Sequence, residues 1–330
     1  MARPKILVTQ KVPAPAYPLL KAVGDVEANQ EEGAIWSYEE LLRRSPGHEY
    51  LYCLLTDTID EHLLMACANA QPRLRLLANM AVGFNNIDIV AATRLGIAVS
   101  NTPGVLTDTS ADLAFGLLMA TARRIPESER FLRAGKFTGW GPLLFCGAEV
   151  HHAVLGLVGM GRIGKVVARR ASGFEMKILY HNRQRLSPAE EAEYHATYLP
   201  LDELLRQADF VSIHTPYAPA THHLISEREL NLMKPSAMLI NTARGPIVDE
   251  KALVRALQNG TIAGAGLDVF EHEPVVEPEL LSMENVVLLP HIASASLHTR
   301  TLMATMAAHN IAAHVRGERP PNILNPEVLG

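Results

Sequence analysis

The feature that most constrains this chain is a glycine-rich turn at residues 159–164, GMGRIG, which matches the pattern G-x-G-x-x-G. An apolar strand pattern at residues 153–158 leads into the turn, and a helical pattern at residues 163–172 follows it. In such a unit, glycines permit a tight turn and let backbone N–H groups approach a pyrophosphate at the helix N-terminus. A turn needed only for close packing of strand and helix is the alternative. We expect a dinucleotide site that includes Gly159, Gly161, Arg162, Ile163 and Gly164.

Strand and helix patterns alternate on both sides of this turn. Apolar strand patterns lie before it at residues 5–9, 50–55, 74–80 and 98–100, and after it at 176–181, 210–214, 237–241, 263–269 and 285–289. Such alternation predicts parallel sheets with helices on their faces. The chain of 330 residues is about twice as long as a typical domain, so we expect two domains of this α/β type.

Three further segments are helical or loop-like. A long helical pattern covers residues 113–134, and the capping-box spacing that begins at Thr109 predicts its start. Pro126 lies inside this pattern and must kink or split the helix. A Gly-rich loop with Trp140 near its tip follows at residues 135–142, and residues 297–317 are expected to form a final amphipathic helix.

Composition argues against several classes of protein. The net charge is −5 and no Lys/Arg-rich run occurs, so a nucleic-acid partner is not expected. No stretch reaches about 18 apolar residues, so no membrane partner is expected. Three dispersed cysteines suggest a reducing compartment, and we expect a soluble, cytoplasmic protein. The histidine pairs at residues 151–152 and 222–223 do not predict a metal site, because neighbouring side chains on a strand point to opposite faces.

The second strand of the dinucleotide unit ends in residues that favour one cofactor. An acidic residue there, about 20 positions after the turn, binds the ribose 2′-hydroxyl of NAD. This chain instead has Asn182, Arg183 and Arg185, and two arginines can hold a 2′-phosphate by charge-assisted hydrogen bonds. We therefore expect a preference for NADP(H), with NAD(H) as a possible cofactor. The alternative is that both arginines are merely solvated.

Charged side chains follow three later strand patterns, at the edge of the sheet where ligands bind in open α/β folds. These are Arg244, the acids Glu271 and Glu273, and His291. An arginine can bind a carboxylate through two hydrogen bonds, and a protonated histidine can donate to a carbonyl oxygen as hydride reaches the carbon. A carboxylate beside the histidine holds its orientation and favours its protonated form. Taken singly, Arg244 could form an ordinary salt bridge at a strand end, Glu273 could be a solvated loop acid, and His291 could be a core histidine.

Six motifs in order make a family resemblance plain. They are residues 82–88, 101–112, the glycine turn, 241–249, 266–274 and 290–296. Across essentially its whole length the chain resembles the D-isomer-specific 2-hydroxyacid dehydrogenases, within them the glyoxylate/hydroxypyruvate reductases. The resemblance implies two Rossmann-like or flavodoxin-like doubly wound parallel-sheet domains. A dinucleotide-binding domain, residues 102–294, is expected to be inserted into a substrate-binding domain made of residues 1–101 and 295–330.

The resemblance also implies roles for individual residues. Arg244 matches the arginine that binds the substrate carboxylate, and His291 matches the proton donor. Glu273 rather than Glu271 matches the acid paired with that histidine, because the family's acid directly precedes a proline. Further matched positions comprise the substrate loop Val82 and Gly83, the cofactor contacts Thr107, Pro216, Thr242, Asp268 and Ser294, and Trp140, which in the reductase branch reaches the neighbouring subunit's site.

The implied activity is the NAD(P)H-dependent reduction of a small 2-oxo acid, glyoxylate or hydroxypyruvate, to the D-2-hydroxy acid in a homodimer. Two alternatives stay open. One is a 2-ketogluconate or other sugar-acid reductase, and the other is a nucleotide-sensing, corepressor-like binding protein with the same residues.

Overall fold

The computed structural model describes residues 3–329. Its contacts divide the chain into two compact units. The first runs to Leu106 and resumes at Ala295, and the second comprises Thr107–Ser294, so the first crossing lies after Leu106 rather than after residue 101. Each unit contains one wholly parallel sheet, which confirms the expected fold class. No helix within residues 3–329 is long and apolar enough to cross a membrane.

The first unit has five strands in the order β2-β1-β3-β4-β5, the arrangement of flavodoxin-like sheets. The strands are β1 (Lys5–Val8), β2 (Asp25–Ala28), β3 (Tyr50–Cys53), β4 (Leu76–Asn79) and β5 (Ala98–Ser100). The helices are α1 (Ala16–Val23), α2 (Tyr38–Arg44), α3 (Glu61–Asn69), α4 (Ile89–Arg94) and α12 (Leu297–Val315).

Both faces of this sheet are buried. On one face α1 and α12 pack together over Ile6, Val8 and Ala78, and on the other Leu7 and Leu51 meet the apolar side chains of α3 and α4. Strands covered on both faces are continuous apolar runs, which is why the sequence pattern predicts β1, β3 and β4 so directly.

The second unit has seven strands in the order β12-β11-β10-β9-β6-β7-β8, a Rossmann arrangement extended by one strand. The strands are β6 (Val154–Val158), β7 (Lys177–His181), β8 (Ala196–Tyr198), β9 (Phe210–Ile213), β10 (Met238–Asn241), β11 (Gly264–Leu267) and β12 (Val286–Leu288). The helices are α5 (Thr107–Ala122), α6 (Ile125–Arg133), α7 (Arg162–Ser172), α8 (Pro188–Glu193), α9 (Leu201–Gln207), α10 (Glu227–Leu230) and α11 (Glu250–Gln258).

The start of α5 differs from the sequence prediction. The helix begins at Thr107, so the capping-box prediction at Thr109 is wrong and that residue lies inside the first turn. Asp108 and Asp112, four positions apart on one helix face, pair with Arg169 and Arg170 of α7. These ion pairs join the start of α5 to α7, in a part of the helix that the local pattern does not reveal. The prediction for Pro126 is confirmed, because α5 ends at Ala122 and Pro126 lies in the first turn of α6.

Candidate active site

The glycine turn joins β6 to α7, and its geometry requires glycine. Gly159 has φ +99°, and a Cβ atom there would lie 2.6 Å from the backbone nitrogen of Thr215. A Cβ on Gly164 would lie 2.3 Å from the carbonyl oxygen of Gly159. Because neither glycine has a Cβ, the turn can lie directly against the segment after β9, and the start of α7 can lie directly against the turn.

The middle glycine has a different surrounding. A Cβ on Gly161 would meet nothing within 4 Å among the described residues, so the space in front of it is open. Gly161 is also the N-cap of α7 and supplies no side-chain cap to the first N–H groups of the helix. Open space before uncapped amides suits a phosphate, and the positive end of the helix dipole adds to this. The first two residues of the helix are Arg162, which is exposed, and Ile163, which is half-buried. The residues thus fit a dinucleotide.

The end of β7 distinguishes the two candidate arginines. Asn182 accepts a hydrogen bond from the backbone N–H of Met160 at 2.6 Å, so its side chain is tied to the glycine turn. Arg185 donates from Nε and Nη2 to the two carboxylate oxygens of Glu191, each at 2.8 Å. Arg183 is exposed to solvent. Arg185 is therefore paired with Glu191 in this conformation, while Arg183 is exposed two positions after the end of β7.

The carboxyl of Glu191 has a lowered pKa in this arrangement. Hydrogen bonds from Arg185 and from the Tyr180 hydroxyl lower the pKa of its carboxyl to about 2. The guanidinium of Arg185 also lies over the ring of Tyr198, 5.7 Å from its centroid. This carboxylate is therefore ionised at neutral pH and carries a negative charge opposite Arg185.

The side chains of His291 and Glu273 are hydrogen-bonded to each other beyond the carboxyl ends of β12 and β11. Nδ1 of His291 lies 2.8 Å from Oε2 of Glu273, and the two side chains are 23% and 31% exposed. Oε1 of Glu273 accepts a hydrogen bond from the backbone N–H of Phe270 at 3.0 Å. The imidazole is consequently oriented through Nδ1, and Nε2 is the ring nitrogen left for a ligand in a partly open position.

The pKa of Glu273 reports this environment. Burial raises it, but the hydrogen bond from His291 and the positive charges of His291 and Arg244 outweigh burial, so the net shift is below the ordinary value. The carboxylate is therefore the stable form beside the histidine.

Asp268 anchors the segment that carries His291. It is fully buried after β11, and its two oxygens accept hydrogen bonds from the N–H groups of Ile292 at 2.7 Å and Ala293 at 2.8 Å. His291 itself has φ +54°, and its N–H donates to the carbonyl of Asp268 at 2.9 Å. Residues are held in this sparsely populated backbone region only where the surroundings over-determine it. The family resemblance assigns Asp268 to the cofactor and does not indicate this anchoring role.

Arg244 follows β10 and is held by an asparagine that the sequence analysis did not single out. Asn241 donates from Nδ2 to the carbonyl of Arg244 at 3.0 Å and accepts from the N–H of Ala243 at 3.0 Å. Burial lowers the pKa of Arg244, and the negative charge of Glu273 opposes that shift. A cation, a carboxylate and a histidine thus follow three adjacent strands of one sheet. No group of three or more His, Cys, Asp or Glu side chains within residues 3–329 could hold a metal ion.

Comparison with known proteins identifies the family of this chain. The family described as D-isomer specific 2-hydroxyacid dehydrogenase, NAD binding domain, matches residues 115–293. A glyoxylate reductase of Thermococcus onnurineus is 47% identical over 331 residues, which cover 99% of this chain and 97% of that protein. The chain belongs to the D-isomer specific 2-hydroxyacid dehydrogenases. The family resemblance found in the sequence is therefore confirmed.

Solved structures support the same assignment of the dehydrogenase. A glyoxylate reductase from Paecilomyes thermophila has a TM-score of 0.87 and 32% identity, with 99% of this chain and 100% of that chain covered. An NADPH-dependent glyoxylate/hydroxypyruvate reductase from Sinorhizobium meliloti, solved with NADP and malonate, has a TM-score of 0.85 and 35% identity, with 98% and 97% covered.

The other cofactor positions expected of such a dehydrogenase all lie in the second unit. Thr242, directly after β10, is buried, and its hydroxyl has no hydrogen-bond partner among the described residues. A buried hydroxyl of this kind is costly unless something binds it, which fits a cofactor contact. Thr107 begins α5, Pro216 is exposed after β9, and Ser294 is half-buried directly after Ala293.

The substrate loop expected of the dehydrogenase lies in the first unit, after β4. Asn101 donates to the carbonyl of Val82 at 2.8 Å, and Asn79 donates to the carbonyl of Gly83 at 3.0 Å. These two amides fix the peptide orientation of the loop. The sequence named Val82 and Gly83 but not the asparagines that hold them.

Trp140 of the dehydrogenase stands apart from this cluster. It lies in the loop between α6 and β6, with 84% of its surface exposed, and within residues 3–329 no hydrogen bond or ring contact joins it to another residue. The structure of a single chain therefore gives Trp140 no place in the cluster formed by Arg244, Glu273 and His291.

Proposed function

We propose that this dehydrogenase reduces a small 2-oxo acid, glyoxylate or hydroxypyruvate, to the D-2-hydroxy acid with NAD(P)H. The observation that carries the proposal is the hydrogen bond between His291 and Glu273, in the same unit as Arg244 and the glycine turn. The names of the relatives, glyoxylate reductase and glyoxylate/hydroxypyruvate reductase, support the choice of substrate.

The proposed chemistry assigns one task to each side chain. The reduced nicotinamide, when bound, supplies the hydride that forms the new C–H bond at the 2-oxo carbon. His291 donates the proton from Nε2 to the carbonyl oxygen, which becomes the hydroxyl, while Glu273 holds the ring through Nδ1 and stabilises its charge. Arg244 is assigned to the substrate carboxylate. The family resemblance also implies Val82 and Gly83 as substrate contacts.

The substrate proposal is tested by steady-state oxidation of NADPH and NADH with glyoxylate, hydroxypyruvate, pyruvate, 2-ketogluconate and phosphohydroxypyruvate. We expect the highest kcat/KM with glyoxylate or hydroxypyruvate. A higher value with 2-ketogluconate would assign the chain to sugar-acid reduction, and cofactor binding without turnover on any acid would favour the corepressor-like alternative.

We also propose that NADP(H) is the preferred cofactor and that Arg183 binds its 2′-phosphate. Arg185 would have to exchange a hydrogen bond to Glu191 before it could do so, so it contributes less. Arg183→Ala is expected to lower kcat/KM for NADPH by about tenfold or more and to leave that for NADH nearly unchanged. Arg206→Ala, at an exposed arginine of α9, is the control and should change neither value. A clear NADH preference of the wild type would reject this proposal.

A homodimer is proposed from the same region that carries Trp140. The helix α6 buries none of its own residues, and apolar side chains are exposed along α6 and the following loop, among them Ile125, Leu132, Phe137, Trp140 and Leu143. Apolar patches of this kind mark interaction surfaces, and the resemblance places Trp140 at the neighbouring subunit. Light scattering of Leu143→Asp should show monomers, whereas Leu281→Asp, at an exposed leucine elsewhere, should not.

The three free cysteines agree with the reducing cytoplasm as the proposed location.

A further inference from the structure

A hydrogen-bonded pair separate from the His291 cluster involves Glu271, the acid two positions before Glu273. Oε1 of Glu271 lies 2.6 Å from Nε2 of His223, and Oε2 accepts a hydrogen bond from the N–H of Glu250 at 3.2 Å. The carboxylate is only 13% exposed. Glu271 thus connects the segment before α10, the start of α11 and the loop after β11.

Glu250 also binds Glu271. Its buried carboxylate accepts a hydrogen bond from the N–H of Glu271 at 2.6 Å, so each of the two acids binds the other's backbone amide. Glu250 is the first residue of α11, where an anion such as the Glu271 carboxylate is favoured by the helix dipole. The two residues therefore fasten the loop after β11 to the helix.

The same segments touch through their backbones. A Cβ on Gly245 would lie 1.8 Å from the carbonyl carbon of Phe270, so the residue after Arg244 lies directly against this loop. The N–H of His223 donates to the carbonyl of Pro246 at 2.9 Å. Side-chain and backbone contacts together make one connected brace of residues 223, 245–250 and 270–271.

Glu273 lies at the end of this brace. The N–H of Phe270 binds its Oε1, and its Oε2 binds His291. We propose that Glu271 is a positioning residue for the reduction, because its contacts with His223 and Glu250 hold the loop that presents Glu273 to His291. This inference rests on the proposed function and adds a residue that does not touch the reacting atoms.

The test compares Glu271→Gln, which removes the charge at nearly constant shape, with the wild type. We expect kcat with the 2-oxo acid to fall about tenfold, because small misplacements of catalytic groups have effects of this size or larger, while the Kd for NADPH stays the same. His223→Gln should reproduce the effect, and it carries the test alone if Glu271→Gln does not fold.

Asp209→Asn is the matched control. Asp209 likewise contacts one side-chain nitrogen, Nζ of Lys234 at 2.7 Å, and one backbone amide, that of Val154 at 2.8 Å, but it lies before β9 at the opposite edge of the sheet. Asp209→Asn should lower Tm by about as much as Glu271→Gln does. It should leave kcat within about twofold of the wild type. In a Glu273→Gln background the effect of Glu271→Gln should largely vanish, because the two residues act through one contact.

A second readout does not need turnover. The ¹⁵N shifts of the imidazole of His291 should show Nδ1 protonated and bound in the wild type and in Asp209→Asn, and a mixture of tautomers in Glu271→Gln. Unchanged shifts in Glu271→Gln and His223→Gln, or kcat values within about twofold of the wild type in both, would overturn the inference. A wild type that reduces none of the acids refutes the proposed function instead, and the spectra then decide the positioning role.

Discussion

The two units share one architecture and differ in what the ends of their strands present. In the first unit, the loop after β4 is held by the neutral side chains of Asn79 and Asn101, which bind its carbonyl oxygens. In the second, the ends of β10, β11 and β12 carry Arg244, Glu273 and His291. The same sheet edge thus offers oriented backbone in one case and ionisable groups in the other. Parallel-sheet architecture alone does not decide function, and the residues at the strand ends do.

This difference predicts a hierarchy of effects. Ionisable groups can change charge or transfer a proton, so their removal acts on the chemical step or removes a charged contact. Amides that orient a loop contribute ordinary hydrogen bonds, which are worth less. Substitutions at the strand ends of the second unit should therefore change kcat or KM more than substitutions in the first unit do.

His291→Ala should have the largest effect. We expect kcat to fall at least about a hundredfold, because positioned acid catalysis contributes on the order of 10² to 10⁴ in rate. Cofactor binding, followed by fluorescence titration, should not change. His151→Ala, at an exposed histidine before β6, is the control and should have normal kinetics. Near-normal turnover of His291→Ala would contradict the assignment of the proton donor.

Arg244→Ala should come next and should act on binding. The loss of a charged hydrogen bond, about 1.5–3 kcal/mol, corresponds to a rise in KM of roughly 10- to 150-fold. Arg244→Lys should fall between this variant and the wild type, because it keeps the charge and loses the planar fork. If KM for the 2-oxo acid is unchanged in Arg244→Ala, another group binds the carboxylate.

Asn101→Ala tests the first unit. It removes one neutral hydrogen bond, to the carbonyl of Val82, so KM should rise by about two- to tenfold with kcat nearly unchanged. Asn325→Ala is the matched control, because Asn325 is also buried and binds backbone groups of the same unit, the carbonyl of Ile97 and the N–H of Val99. It should lower Tm and leave KM alone. A hundredfold loss of kcat in Asn101→Ala would remove the contrast between the two units.

The smallest effect is expected in the pH dependence of stability. The pKa of Glu273 is below its ordinary value of 4.5 in the folded protein, so the folded state binds this proton more weakly than the unfolded state. Its contribution is present above 4.5 and is lost as the pH falls through the lower folded-state pKa. The advantage of the wild type over Glu273→Gln in free energy of unfolding should therefore shrink on acidification, by less than about 1 kcal/mol, because the pair is partly exposed. An advantage that grows on acidification would contradict this sign.

Prediction from the sequence succeeds where the signal is local. The strands covered on both faces are apolar runs, and the glycine turn is a short motif between a strand and a helix. It fails for β2, which is an edge strand with the sequence DVEA, and for α8, a short polar helix with the sequence PAEEAE. Neither has an apolar pattern of its own, and β2 forms because β1 offers its free edge in register.

The candidate site shows the same division. The sequence places an arginine, two acids and a histidine after successive strands, and the family resemblance selects Glu273. The sequence does not show that Arg185 donates hydrogen bonds to Glu191. Nor does it show that Asp268 binds the backbone after His291, or that Asn101 binds the carbonyl of Val82. Each of these contacts depends on where two segments meet in space.

The sequence by itself determines the parallel-sheet units, the glycine turn and the kinds of side chain at the strand ends, because apolar runs and glycine's freedom at φ +99° act locally. The family resemblance already selects Glu273 as the partner of His291, and only the tertiary structure shows that Glu271 meets His223. Glu273 pairs with His291 across 18 positions, and Glu271 pairs with His223 across 48. The two acids are almost adjacent in the chain, and a hydrogen bond depends on a separation of about 3 Å between its atoms. Such distances are set by the packing of neighbouring strands that are remote in sequence.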